Sequence, residues 1–270
     1  MKKTQKERNV IRQSKFPILN FDSNKNAKLT IQKLDGKKCQ NINYGVICFD
    51  MDAREEFAQK YPSKIIGTSK GCGISPLNIY AVNFNGANII LHQGIVGAPL
   101  AAVVMENLVA FGCKNIIAVG GAGVLKPEIA RGHLIIPTSA VRQEGTSYHY
   151  IAPSKYIKCP PQVVKNMCKY LKEKGLPFVC GRTWTTDAIF RETQDLIDLR
   201  TKEGCICVEM ENATFAAVAQ FYNIKFGQIL YGGDSLCGNV WDKRDWANED
   251  IKKRTHFELL KLAMEMVTKI

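Results

Sequence analysis

The sequence predicts a single α/β domain with a largely parallel central sheet, and three observations support this fold class. The chain has 270 residues, of which 46% are hydrophobic, enough to fill one large core or two small ones. Apolar runs of strand length alternate with segments of helical periodicity, which favours one domain. Several of these runs end in glycine or polar residues, as strands do where they lead to a binding edge.

The first half of the domain shows clear turn and helix signals between its apolar runs. Pro62 ends a predicted helix, and Pro99 suits the first turn of the next one. Asn85-Gly86 joins two strand-like runs and is typical of a tight hairpin. The predicted elements are strands over residues 44–49, 78–84, 87–92 and 116–119, and helices over residues 53–60 and 99–111.

The second half continues the alternation around one long polar loop. Residues 142–150 are too rich in hydrogen-bonding groups for a core, and such loops often carry function. The last helix is amphipathic, with Phe257, Leu260, Met264 and Val267 on one face. The predicted elements are strands over residues 134–137, 177–183, 205–208 and 226–231, and helices over residues 161–174, 193–202, 213–219 and 247–269.

The positive charge is concentrated in the first 40 residues. The net charge is +12, and residues 1–40 hold eleven lysines and arginines against three acidic residues. Aromatic residues do not interleave with these charges as they do on base-stacking surfaces, so specific nucleic-acid binding is not expected. We therefore predict a solvated basic arm over residues 1–40 and a folded domain over residues 41–270.

Cysteine usage and the N-terminus predict a cytoplasmic protein. The ten cysteines include no C-x-x-C pair, which favours reduced thiols over a disulfide framework or a metal site. No apolar segment follows the basic residues of the N-terminus, so a secretory signal is not predicted. No apolar run reaches the length of a membrane span, and no membrane association is expected.

The segment Val208-Glu209-Met210-Glu211 stands where a buried strand is followed by a buried helix. In open α/β sheets this edge is where ligands bind. A carboxylate accepts several hydrogen bonds and suits two neighbouring hydroxyl groups, as on a sugar. The alternative interpretation is that Glu209 and Glu211 are first-turn acids that stabilise the helix.

Other predicted strands end in a similar way. If the sheet is parallel, their ends meet at one edge, where glycine lets a ligand approach the backbone closely. These strand ends are Gly94, Gly120-Gly121, Trp184 to Asp187, Glu209 to Glu211, and Gly233-Asp234.

With these residues the sequence resembles the nucleoside phosphorylase-I superfamily, which includes purine nucleoside phosphorylases, uridine phosphorylases and methylthioadenosine nucleosidases. The resemblance covers roughly residues 44–268 and is strongest at Val208 to Glu211 and from Gly94 to Gly123. The loop from Arg142 to Tyr150 resembles a segment common near uridine phosphorylases. The resemblance implies a three-layer α/β/α sandwich and a homo-oligomer, either a trimer or a hexamer built as a trimer of dimers.

The resemblance also implies a role for individual residues. Glu211 would bind the ribose hydroxyls, Met210 would pack against the sugar, and Trp184 would stack on the base. Asp234 would protonate a leaving purine, and Arg54 falls on a phosphate-binding arginine. Each also has a structural interpretation: core packing for Trp184 and Met210, a turn for Asp234, and helix surface for Arg54. The other implied substrate-binding residues are Glu209, Gly94, Gly120, Gly121 and Arg142.

Taken together, these features predict a phosphorylase that cleaves a purine nucleoside with phosphate to give free base and ribose 1-phosphate. Phosphate is expected as co-substrate, with no cofactor and no metal. The phosphate site departs from the pattern, because Ala118, Gly121 and Asp50 stand where phosphorylases keep an arginine, a Ser/Thr and a glycine. Hydrolysis by water and a uridine substrate therefore stay open as alternatives. A non-catalytic nucleoside-binding or storage protein is less favoured, since Glu211 and Asp234 are both retained.

Overall fold

The structure is a computed structural model that describes residues 11–31, 40–69, 76–244 and 249–270. Parts of the predicted arm, residues 1–10 and 32–39, lie outside the described residues, as do residues 247–248 of the last predicted helix. The strands are β1 (Tyr44–Cys48), β2 (Ser63–Ser69), β3 (Leu77–Phe84), β4 (Ala87–Gln93), β5 (Asn115–Val124), β6 (Leu134–Gln143), β7 (Tyr156–Lys158), β8 (Phe178–Thr186), β9 (Cys205–Glu209) and β10 (Lys225–Ser235). The helices are α1 (Met51–Lys60), α2 (Ala98–Phe111), α3 (Pro161–Glu173), α4 (Gln194–Lys202), α5 (Asn212–Tyr222) and α6 (Glu249–Met266). Short 3-10 helices cover Pro17–Leu19, Thr146–His149 and Ile189–Arg191.

All the strands belong to one mixed, largely parallel sheet in the order β10-β6-β8-β9-β5-β1-β4-β3-β2, with β7 paired to β6. Parallel pairs join β1 to β4 and β5, β5 to β10, β6 to β8, and β8 to β9. Because β5 pairs with β10 as well as with β9, the path β5-β10-β6-β8-β9 closes on itself. Most of the glycine and acidic residues that the sequence places at strand ends belong to the strands of this closed half.

Helices cover both faces of the sheet and complete three layers. Side chains of a strand alternate between faces, so Val46 and Cys48 pack in one core while Ile47 packs in the other. The first core is covered by α1, α3 and α6, with Phe57 at its centre, and the second by α2 and α5, with Phe215. The predicted α/β/α sandwich is confirmed.

The elements that the sequence missed are the weakly patterned ones. β2 lies at the sheet edge and pairs only with β3 among the described strands, so its first residues Ser63, Lys64 and Ile65 are exposed. β7 has three residues and pairs with β6. Within the described ranges, no helix combines the length and apolar character needed to cross a membrane.

The described part of the N-terminal arm lies against the domain. Lys25 Nζ donates a hydrogen bond of 2.7 Å to the carbonyl of Phe221 and lies 5.0 Å from the centre of its ring. Arg12 and Phe21 pair through their backbones around the 3-10 turn at Pro17–Leu19. The solvated arm predicted from charge therefore has specific contacts with the domain.

Candidate active site

A cavity of about 820 Å³ opens near the carboxyl ends of β5, β9 and β10. Its walls come from these strands, from Phe49 after β1, and from the 3-10 turn at Ile189–Arg191. The lining residues that the sequence singled out are Gly120, Gly121, Val208, Glu209, Met210, Glu211, Gly233 and Asp234. Strand ends that are far apart in the chain thus meet around one space, as the sheet argument predicted.

Glu209 anchors the turn between β9 and α5. Its carboxylate accepts hydrogen bonds from the hydroxyls of Thr185 (2.6 Å) and Thr183 (3.2 Å) and from the backbone N–H groups of Glu211 (2.7 Å) and Asn212 (2.5 Å). Burial raises the pKa of Glu209, and these hydrogen bonds act in the opposite direction. The alternative interpretation, that Glu209 is an acid that stabilises the first turn of α5, therefore fits its geometry.

Glu211 stands at the start of α5 and ties it to the start of α2. Its Oε1 accepts a 2.7 Å hydrogen bond from the N–H of Gly97. Gly97 has a φ of 101°, which is strained for other residues, so the glycine allows the backbone to turn toward the carboxylate. Burial and the neighbouring Glu209 raise the pKa of Glu211. A sugar hydroxyl bound here would meet a buried, positioned carboxyl group.

Asp234 and Glu192 form a second acidic region of the same cavity. Asp234 Oδ2 accepts a 2.6 Å hydrogen bond from the indole N–H of Trp241, and all three residues line the cavity. Burial, and then the charge of Asp234, raises the pKa of Glu192 to about 7. The sequence analysis missed Glu192 and Trp241. Glu192 could have been found because it lies just past the end of β8, at the same edge as the other predicted site residues.

The glycines of the predicted site make room for aromatic rings. A Cβ on Gly120 would lie 3.0 Å from the ring of Phe49, and one on Gly121 would lie 2.9 Å from Tyr231. A Cβ on Gly94 would meet the Phe49 ring at 2.7 Å, but Gly94 itself is not part of the cavity wall. A side chain at these positions would crowd an aromatic ring, so packing alone accounts for the presence of glycine there.

Trp184 does not reach the cavity. Thr183 and Thr185 both bond to Glu209, and the residue between them points to the opposite face of β8. The Trp184 ring is fully buried, with the guanidinium of Arg200 5.7 Å from its centre. The structural interpretation, core packing, fits this position.

Arg142 is also outside the cavity wall. It is buried and donates hydrogen bonds to Ser147 Oγ (2.9 Å), Ser154 Oγ (2.8 Å) and the carbonyl of Ala152 (2.8 Å). The neighbouring Glu144 accepts from Ser147 and from Thr214. The polar loop is therefore held together by its own side chains.

Arg54, the predicted phosphate-binding residue, is buried on α1. Its guanidinium donates to the carbonyl of Asn78 at 2.7 Å, pairs with Glu55 and lies 5.4 Å from the centre of the Tyr80 ring. Within the described part of the chain, Lys243 is the cationic side chain in the cavity wall. The described residues contain no cluster of three or more His, Cys, Asp or Glu side chains that could hold a metal.

The comparisons with known proteins agree on one family. A model of the phosphorylase superfamily matches residues 43–263. A uridine phosphorylase of Thermococcus kodakarensis is 27% identical over 159 residues, covering 54% of this chain and 57% of that protein, less than two thirds of its length. A DeoD-type purine nucleoside phosphorylase of Thermoanaerobacter is 27% identical over 192 residues, covering 68% of this chain and 77% of that protein.

The same fold occurs in solved structures. The 5'-methylthioadenosine/S-adenosyl homocysteine nucleosidase of Campylobacter jejuni is similar to this chain with a TM-score of 0.70. The similarity covers 85% of this chain and 100% of that one at 13% sequence identity, so it concerns the fold alone.

Proposed function

Because the chain belongs to the phosphorylase superfamily, we propose that it cleaves the N-glycosidic bond of a purine nucleoside. The observation that supports this most is the arrangement of one cavity. Glu211 and Met210 lie in its wall together with a second acidic region, Asp234 and Glu192. A nucleoside has a polar sugar and a flat base, and these two regions suit its two ends.

The reaction needs opposite charges to be stabilised at the two ends of the breaking bond. Positive charge develops on the ribose, beside Glu211, and negative charge develops on the departing base. A positioned acid that protonates the base typically contributes ~10²–10⁴-fold. Asp234 is held by Trp241 in the cavity wall, and the raised pKa of Glu192 keeps a proton in the acidic region near neutral pH. In this proposal Asp234 is the proton donor and Glu192 supports it.

The position of the polar loop favours a purine over uridine. The sequence argument for uridine rested on the loop from Arg142 to Tyr150. Arg142 is buried and bonded within that loop, so its placement gives no support to a base-reading role. Asp234 lies in the cavity wall, where it could protonate a purine. Named relatives include both a uridine and a purine nucleoside phosphorylase.

The nucleophile that attacks the ribose has two candidates, phosphate and water. The names of the relatives support phosphate, the nucleophile that the sequence favoured. Water is supported by the placement of Arg54, whose guanidinium is bonded to Asn78 and Glu55 away from the cavity wall.

Base release from a panel of nucleosides tests the proposed function. Inosine, guanosine, adenosine and uridine are incubated with the protein, with and without phosphate, and the free bases are separated by chromatography. We expect purine bases to be released. Cleavage of uridine alone would remove the acid role from Asp234, and tight binding of nucleosides without turnover would indicate a storage protein.

A further inference from the structure

A smaller cavity, which we call the annex, adjoins the active-site cavity. It has a volume of about 250 Å³ and shares Phe49, Gly120 and Gly121 with the larger cavity. Asp50, Tyr231 and His256 are among its other lining residues. A molecule in the annex would therefore lie beside a sugar held in the larger cavity, on the side of Phe49.

The annex contains a fixed carboxylate–imidazole pair. His256 Nδ1 lies 2.5 Å from Asp50 Oδ2, and the His256 side chain is buried. The ring of Tyr231 lies 5.0 Å from the ring of His256 and packs against it. Asp50 Oδ1 accepts a 2.8 Å hydrogen bond from the N–H of Ala53. Asp50 and His256 are 206 positions apart in the chain, and the fold brings them together at the annex.

Asp50 occupies the position that a bound anion would take. The free N–H groups at a helix N-terminus attract phosphate, and Asp50 caps α1 with its own carboxylate. Bound phosphate is usually held by arginine or lysine as well. Among the described residues that line the annex there is no arginine or lysine. Phosphate in the annex would therefore meet the carboxylate of Asp50 and no arginine or lysine from these lining residues.

Resting on the proposed function, we propose that the annex binds water as the nucleophile and that the Asp50–His256 pair takes its proton. The water oxygen forms a bond to the anomeric carbon of the ribose as the bond from that carbon to the base nitrogen breaks. One water proton passes to the pair, and Asp234 gives a proton to the base. The pair then releases its proton to solvent and Asp234 regains one, so the products are ribose and free base.

The sugar product and the source of its oxygen test this inference. Inosine is cleaved by the full-length protein in 18O-labelled water, with and without inorganic phosphate, and the sugar is identified by mass spectrometry. We expect 18O-labelled ribose at a rate that phosphate does not change. Ribose 1-phosphate, or a requirement for phosphate, would overturn the inference while the proposed base release still stands. Absence of any base release would overturn the proposed function and the inference with it.

Two variants test the pair itself. Asp50→Asn keeps a residue that caps helices well, so α1 is expected to form. Both Asp50→Asn and His256→Gln should lower kcat for hydrolysis by ~10²–10⁴-fold, the usual contribution of a general base, and leave KM nearly unchanged. Asp52→Asn is the matched control, because Asp52 lies exposed on the same helix turn and does not line the annex. Wild-type kcat in both pair variants would overturn the role of the pair.

Discussion

At the scale of single residues, Glu211 and Asp234 lie in the same cavity but should respond differently to the leaving group. A purine departs poorly without a proton, whereas 4-nitrophenolate departs readily. Asp234→Asn should therefore lower cleavage of inosine by ~10²–10⁴-fold and affect 4-nitrophenyl β-D-ribofuranoside little. Glu211→Ala should impair both substrates, because both develop positive charge on the ribose. Steady-state kinetics on the two substrates measure this difference.

The control for the leaving-group experiment is Asp242→Asn. Asp242 is exposed and bonds to the backbone of Arg244, and it is not part of the cavity wall. It should behave as wild type with both substrates. An equal loss on both substrates for Asp234→Asn would contradict its assignment as the acid.

Glu192 should make the stability of the protein depend on pH. Its pKa is raised from 4.5 to about 7 by burial and by Asp234, so the folded state holds this proton more tightly than the unfolded chain does. Unfolding then releases a proton between these pH values, and the contribution of Glu192 to stability falls as pH rises from about 4.5 to about 7. Glu192→Gln should therefore gain Tm relative to wild type between pH 5 and pH 8.

Thermal melts of both proteins across this pH range provide the measurement. Glu128→Gln serves as a control for the loss of one carboxylate, since Glu128 is exposed. A constant difference in Tm between wild type and Glu192→Gln at every pH would show that Glu192 does not change its proton affinity on folding.

The residues that the sequence placed well are those fixed by backbone position. Met210, Glu211 and Asp234 stand where their strands end, and all three line the cavity, while their roles there stay predictions. The resemblance assigned Trp184 to base stacking, but Trp184 does not line the cavity, because the face that a strand residue occupies depends on register. A shift of one residue exchanges the two faces of the strand. The face that Trp184 occupies follows from the hydrogen bonds of Thr183 and Thr185 to Glu209, which only the folded structure shows.

At the scale of elements, the loop from Arg142 to Tyr150 should prove to be structural. Arg142→Met would remove the hydrogen bonds that Arg142 donates to Ser147, Ala152 and Ser154, and leaving buried polar groups unpaired typically costs about 1–3 kcal/mol. We expect a loss of this size in the free energy of unfolding, measured by urea denaturation. KM for the nucleoside should change little in the folded variant, because Arg142 is not in the cavity wall.

The matched control for this loop is Lys165→Met, which removes an exposed cation from α3. It should leave both stability and KM near wild type. A large rise in KM for Arg142→Met, with stability unchanged, would restore the substrate-binding role that the resemblance implied.

The order of strands and helices was predictable because each buried strand is a compact apolar run between polar or glycine-rich turns. The pairing of β5 with β9 and β10, which closes half of the sheet, was not. Such pairing depends on contacts between segments about a hundred residues apart, and no local pattern records them. The Asp50–His256 pair was beyond sequence reasoning for the same reason, although Asp50 alone had been noted.

At the scale of the whole molecule, we expect an oligomer, as the resemblance implies. Apolar side chains around the cavity mouth are unusually open to solvent in the single chain: Val96 is 63% exposed, Ile189 54%, Phe190 95% and Trp241 58%. Exposed apolar patches of this kind often mark a surface that another molecule covers. Covering a phenylalanine side chain contributes about 1.5–3 kcal/mol, and symmetry repeats the gain in each subunit.

Sedimentation velocity should therefore give a mass that is a multiple of the 30.2 kDa chain. Phe190→Ser should shift the protein toward smaller species, because it removes the most exposed of these side chains. Phe16→Ser is the comparison, since Phe16 is 61% exposed and is not one of the residues that line the cavity. It should leave the mass unchanged. A fully active species with the mass of one chain would contradict the expectation, because it would show that the cavity described here is complete within a single subunit.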